Sequence, residues 1–242
     1  MASRMAAPQP FDAAQDLADA PRRPGVAQRP KDAATLILVR GQGSGAAVLM
    51  GRRAPGHVFM GAKWVFPGGR IDRSDFTAAS ATDLADDAAI RLNRELPPHR
   101  ARALALAAVR ETFEETGLML ARPAAPRAVA GPWRDFRAAG ALPDLEALSY
   151  VARAITPPGR VRRFDARFFM ADADRLLNPD AAAVSRELDE IAWLTLVEAR
   201  GQDLPAITRY ILDEVAERLD SPRRPLPLVR MVRGRHVVEH RE

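Results

Sequence analysis

Residues 110–117 read Arg110-Glu111-Thr112-Phe113-Glu114-Glu115-Thr116-Gly117, and no other stretch restricts the fold as tightly. Leu104, Ala108 and Val109 precede it at helical spacing, so a helix is expected from about Arg100 to Thr116, with Gly117 just past its end. On such a helix, positions three and four apart are neighbours, which puts Glu111, Glu114 and Glu115 on one face. Each like-charged pair costs about 0.2–0.5 kcal/mol. The negative end of the helix dipole adds ~0.3–1 kcal/mol for each carboxylate in the last turn. Arg110 offsets only part of that repulsion. A hard divalent cation would resolve the conflict, because carboxylate oxygens suit Mg2+ or Mn2+. Taken alone, the octapeptide is equally well explained as a solvated acidic face.

The chain has 242 residues, enough for one large domain or a domain with tails. It contains no cysteine, which excludes disulfides, thiolate metal sites and cysteine nucleophiles. No apolar run approaches the roughly 20 residues of a membrane span, and Pro8, Gln9, Pro10 and Asp12 interrupt any secretory core, so a cytoplasmic protein without a membrane partner is expected. The net charge of +5 is modest and comes almost wholly from arginine, Lys31 and Lys63 being the two lysines. With 6% aromatic residues, this does not describe a nucleic-acid groove. The four histidines (His57, His99, His236 and His240) show no ligand spacing.

Residues 1–31 lack any sustained period and are expected to form a disordered tail. Short apolar runs at Ala33–Val39, Ala46–Met50 and Lys63–Phe66 predict strands, the last stopped by Pro67-Gly68-Gly69. Leu84, Ala88 and Leu92 predict a helix before Pro97-Pro98. Leu118–Leu120 should begin a strand, and 121–144, rich in Pro, Ala and Gly, is expected to be a surface insertion. Leu148–Ile155 and Arg163–Met170 fit a hairpin, Ile191–Leu196 a further strand and Leu204–Leu219 an amphipathic helix. Residues 221–242 are expected to be a basic extension. Strands on both sides of a central helix argue for a mixed α/β layered domain.

Together these pieces resemble the Nudix hydrolase family. Its box places a glycine, five residues, an acid, seven residues, and then Arg-Glu-x-x-Glu-Glu-x-Gly with a following apolar residue. Here Gly69 precedes Asp75 by the right step, and Arg110, Glu111, Glu114, Glu115, Gly117 and Leu118 match the second half. Two departures stand out. Asp75 replaces the usual glutamate, and 34 residues, 76–109, occupy the spacer in place of seven. The long spacer resembles a branch that includes animal coenzyme A diphosphatase-like enzymes. Gly51-Arg52-Arg53 before Phe59-Met60, Trp64–Gly69, Ile155-Thr156-Pro157, Arg162–Phe169 and Glu190–Leu194 before Glu198-Ala199 extend that likeness.

The resemblance implies an α/β/α sandwich over 32–220, with a mixed sheet and a helical insertion, 76–109, inside the box. It implies a hydrolase of the pyrophosphate in a nucleoside diphosphate linked to another moiety, with coenzyme A or acyl-coenzyme A as the first expected substrate. ADP-ribose or dinucleotide pyrophosphatase activity, or a non-catalytic nucleotide sensor, are the alternatives. It implies Mg2+ or Mn2+ held by Glu111, Glu114 and Glu115, with Arg110 orienting the acids and Glu111 and Glu114 in the chemistry. Glu187 and Glu190 are open candidates for the general base. Gly68, Gly69, Arg52 (or Arg53), Arg163 and Arg167 are expected around the substrate. On a strand Arg163 and Arg167 point one way and Arg162 the other, so at most one set faces a pocket. Trp193 is expected in the core. A homodimer is one assembly left open.

Overall fold

The computed structural model describes residues 11, 13, 28–54, 62–180 and 188–241. Among them, nine strands form one mixed sheet. They are β1 (Lys31–Arg40), β2 (Ala47–Arg53), β3 (Trp64–Val65), β4 (Gly68–Arg70), β7 (Ser149–Ile155), β8 (Phe164–Asp172), β9 (Leu188–Thr195), β10 (Leu226–Val232) and β11 (Arg235–Arg241); a separate pair is β5 (Ala121–Pro123) with β6 (Ala141–Pro143). The main sheet runs β11-β10-β7-β8-β1-β2-β3, with β4 on β1 and β9 on β2. β1–β8 and β10–β7 are parallel, and the remaining pairs are antiparallel.

Alternation along β1 assigns the two faces. Ala34, Leu36 and Leu38 face one apolar core, while Ile37 and Val39 face the other. The first core is covered by α1 (Asp86–Asn93) and α2 (Pro98–Thr116). The second is covered by α4 (Leu196–Arg200) and α5 (Ala206–Asp220), through Leu196, Ile211, Leu212 and Val215. The result is the expected α/β/α sandwich.

α2 starts at Pro98, where proline's fixed φ suits the first helical turn. It ends at Gly117, whose φ of +75° only glycine adopts cheaply and whose N–H closes on Phe113 O at 2.8 Å. Alanines at 101, 103, 105, 107 and 108 are buried and let the helix lie close to the sheet. Among the described residues no helix is long and apolar enough to cross a membrane.

Two expectations are corrected. Residues 121–144 are not a surface insertion. They fold into β5, α3 (Arg134–Ala138) and β6, and they bury Trp133, Phe136 and Ala141 in the first core. Three well-spaced apolar residues suffice because the core they meet lies on α2, outside the segment. Leu118–Leu120 does not begin a strand. Its residues are buried, but only Leu120 makes a bridge, to Leu176, and Met119 N–H is taken by Asn178 Oδ1 at 2.7 Å. The 221–242 extension contributes β10 and β11 to the sheet. The expected tail lies outside the described residues except at 11, 13 and 28–31; Phe11 meets Tyr210 edge-on, and β1 begins at Lys31.

Candidate active site

The stripe of α2 that packs on the sheet passes through Ala101, Leu104 and Ala108, and the same stripe continues to Glu111 and Glu115. The helix therefore delivers two carboxylates to the strand opposite its last turns. That strand is β4, whose Gly69 and Gly68 pair with Ala34 and Thr35 of β1. Gly68 N–H donates to Glu115 Oε2 at 3.0 Å. A Cβ on Gly69 would lie 2.4 Å from Glu111 Cδ, and one on Gly68 would lie 2.5 Å from Ala34 O. Gly68 thus excludes any side chain, whereas a side chain at Gly69 would have to displace the Glu111 carboxylate.

Arg110 neutralises part of the acidic turn from within. Its Nη1 donates to Glu111 Oε1 at 2.9 Å and to Glu114 Oε2 at 3.2 Å. Nε and Nη2 donate to the two oxygens of Asp75, each at 2.9 Å, and Nη2 also reaches Arg70 O at 2.9 Å. Burial alone would lower the Arg110 pKa; hydrogen bonding to Asp75 and the charges of Glu111, Asp75 and Glu114 outweigh it and hold it above its ordinary value. Asp75 is wholly buried, and both its carboxylate oxygens accept from Arg110.

The acidic turn opens on a cavity of about 900 Å³, a volume typical of small-molecule sites. Glu111 and Glu114 line one wall with Arg110. Gly68 and Gly69 form a ridge, and beyond it Phe66, Phe164 and Phe168 form a second wall beside Ile207 and Thr208 of α5. The cavity therefore wraps around the sheet, from its α2 side to its α5 side.

The other expected substrate contacts are placed elsewhere. Arg167 is fully buried and faces the α2 side, where Nη1 lies 3.1 Å from both Asp32 Oδ1 and Asp165 Oδ1. Arg163 donates to Thr156 O at 3.1 Å and to Gln28 O. Neither lines the cavity; Phe164 of β8 and Arg162, just ahead of that strand, do. On β2, Arg52 pairs with Glu190 at 3.2 Å, and Arg53, across a register shift in the β2–β9 pairing, lines the cavity. Glu190 is thereby a partner of Arg52 and not a wall of the cavity. Glu187, Phe59, Met60 and His57 lie outside the described residues. Trp193 packs partly buried on the first core, with the Arg40 guanidinium 4.1 Å above its ring. One contact had no signal in the sequence beyond a tryptophan in a Pro- and Gly-rich stretch: Trp133 Nε1 donates to Asp75 Oδ1 at 3.0 Å.

Whether a divalent ion fits is decided by the donors. Three glutamates on one turn offer only hard oxygen ligands, matching Mg2+ or Mn2+, and the glycine ridge leaves room for no competing side chain. Among the described residues no three acidic or histidine side chains are close enough to enclose an ion as they stand. Closing on one takes a rotation of side chains, which the 39% exposure of the Glu114 side chain permits.

No family model matches the chain, and no curated protein matches it. Solved structures do. A NUDIX hydrolase from Alicyclobacillus acidocaldarius is 26% identical with a TM-score of 0.55, over 80% of this chain and 96% of that one. The Nudix hydrolase RenU from M. smegmatis is 19% identical with a TM-score of 0.43, over 78% and 84%. The NUDIX domain of Shewanella oneidensis NrtR, solved with ADP ribose, is 13% identical with a TM-score of 0.47, over 86% and 99%. The Alicyclobacillus likeness carries the argument: the fold is that of the Nudix hydrolases, and it supports a Nudix-type pyrophosphohydrolase.

Proposed function

We propose that the chain, a Nudix-type pyrophosphohydrolase, cleaves the diphosphate of a nucleotide linked to a second moiety, with coenzyme A or acyl-coenzyme A as substrate. The observation that supports this best is the delivery of Glu111 and Glu115 by one helical turn onto Gly68-Gly69, where Glu111, Glu114 and both glycines line a cavity large enough for a nucleotide. Glu111, Glu114 and Glu115 would hold Mg2+ or Mn2+. When bound, such an ion neutralises phosphate charge and makes water more acidic.

The chain's own groups supply the rest. Arg110 fixes Glu111 and Glu114 in orientation through Nη1. Glu114, the more exposed of that pair, takes the proton of the attacking water. Of the arginines expected at the substrate, Arg53 and Arg162 line the cavity and Arg52, Arg163 and Arg167 do not, so Arg53 and Arg162 take the role of gripping phosphate, with Arg70 and Arg100 also in the wall. Phe164 and Phe168 offer an apolar wall to the organic part of the substrate.

The test is a panel of diphosphates (coenzyme A, acyl-coenzyme A, ADP-ribose and dinucleotides) incubated with Mg2+ or Mn2+, with products identified by mass. Two phosphomonoesters from coenzyme A are expected. Cleavage of only ADP-ribose or dinucleotides would replace the substrate and keep the reaction. Binding without any product would make the chain a sensor. Glu114→Gln should lower turnover on the order of 10²–10⁴-fold with the fold intact. Full activity in that variant would remove Glu114 from the mechanism.

A further inference from the structure

We infer that Trp133 is a positioning residue for the acidic turn, acting through Asp75 and Arg110; the inference rests on the pyrophosphohydrolase reading above. Asp75 is wholly buried and accepts four hydrogen bonds, two on each oxygen. Oδ1 accepts from Trp133 Nε1 at 3.0 Å and from Arg110 Nε at 2.9 Å. Oδ2 accepts from Asp72 N–H at 2.8 Å and from Arg110 Nη2 at 2.9 Å. A carboxylate has about four acceptor sites, so Asp75 is saturated.

Two of the four donors lie outside α2. Trp133 holds one oxygen and Asp72 N–H holds the other, so the plane of the carboxylate is set independently of Arg110. The guanidinium is planar and docks on that carboxylate through two parallel bonds, so its orientation follows. Nη1, the nitrogen left over, is thereby aimed at Glu111 and Glu114. The indole is 4% exposed, and its ring meets Phe136 at 5.3 Å, while Phe136 meets Phe113 of α2 at 5.2 Å; Phe136→Leu therefore loosens the packing around the indole but leaves its N–H donor in place. An indole N–H only donates; Trp133→Phe removes that donor together with one of the two fused rings, so a packing control and the melting temperature separate the lost hydrogen bond from the lost volume.

The experiment uses the full chain as wild type, Trp133→Phe and, as a packing control, Phe136→Leu. Mn2+ affinity is measured without substrate by the paramagnetic resonance of the free ion, alongside kcat, KM and the melting temperature. Trp133→Phe should weaken Mn2+ binding and lower kcat by about tenfold, the low end for losing a group that orients metal ligands, and leave KM unchanged. Phe136→Leu should lower the melting temperature and leave Mn2+ affinity as it was. Wild-type Mn2+ affinity and kcat in Trp133→Phe would overturn the inference. So would a proportionate loss in Phe136→Leu, which would make packing the cause. If the wild type itself binds no Mn2+, the metal reading of the acidic turn fails and the positioning role falls with it. If the wild type binds and Trp133→Phe binds equally, only the positioning role falls.

Discussion

Gly68 and Gly69 are adjacent, yet the groups pressed against them differ in kind. A Cβ at Gly68 would meet Ala34 O at 2.5 Å and Thr35 Cα at 2.7 Å, which are backbone atoms of a paired strand and cannot step aside. The atoms nearest a Cβ at Gly69 would all belong to the carboxylate of Glu111, the far end of a side chain. Gly68→Ala should therefore cost about 1–3 kcal/mol in urea denaturation, as overpacking does. Gly69→Ala should cost less stability but lower kcat, by displacing Glu111; full turnover in that variant would mean that Glu111 does not work from this position. The need for close approach is legible in the Gly-Gly pair itself. What approaches is not, because Glu111 reaches the ridge only when α2 docks on β1. Asp75 is a similar case. Its residue type is plain in the sequence, but its burial under Trp133 depends on a segment whose composition is that of a surface loop.

Among the elements, β8 shows most plainly what alternation decides. Its Phe164 and Phe168 look into the cavity, and its Arg167 lies on the opposite face in an ion network with Asp32 and Asp165. Arg162→Ala, just ahead of the strand and exposed, should change stability by no more than about 0.5 kcal/mol and raise KM for the diphosphate. Arg167→Ala should cost about 3 kcal/mol by thermal or chemical unfolding, the lower end for a broken buried pair, because Asp32 keeps Arg100 and Asp165 keeps Arg153. A rise in KM for Arg167→Ala at unchanged stability would reverse the assignment. The order of residues alone makes parity legible, as a choice between two sets. It does not tell which set faces the cavity, since that depends on the parallel register of β8 on β1. The helices are more legible than the short strands: α2 and α5 are long and periodic, whereas β5 and β6 hold three residues each and owe their pairing to the packing of Trp133 and Phe136.

At the scale of the molecule, Asp144 ties together segments that are distant in sequence. It accepts from Thr82 Oγ1 at 2.9 Å and from Arg175 Nη2 at 2.6 Å, and Arg122 Nε stands 3.3 Å away. Burial raises the pKa of its carboxyl, but the hydrogen bonds of Arg175, Thr82 and Arg122 and the Arg175 charge outweigh that, leaving it below the ordinary 3.8. The folded state thus binds this proton less readily than the unfolded chain. The resulting stability is complete above pH 3.8 and fades as pH falls from there through the folded value. Asp144→Asn should lose stability at neutral pH, and its deficit against the wild type should shrink below pH 3.8 in urea titrations; a deficit constant with pH would mean that the charge contributes nothing.

β8 lies beside β1 in the middle of the main sheet, and its successive residues serve the two faces by turns. Deleting one residue from it would carry the buried guanidinium into the cavity and a phenyl ring into the ion network, and every later residue would change sides as well. Evolution can exchange side chains along such a strand one at a time but cannot alter its length, so inherited growth or shrinkage of this chain is steered to connections such as 77–85, where an added residue rotates no helix and changes no neighbour's side.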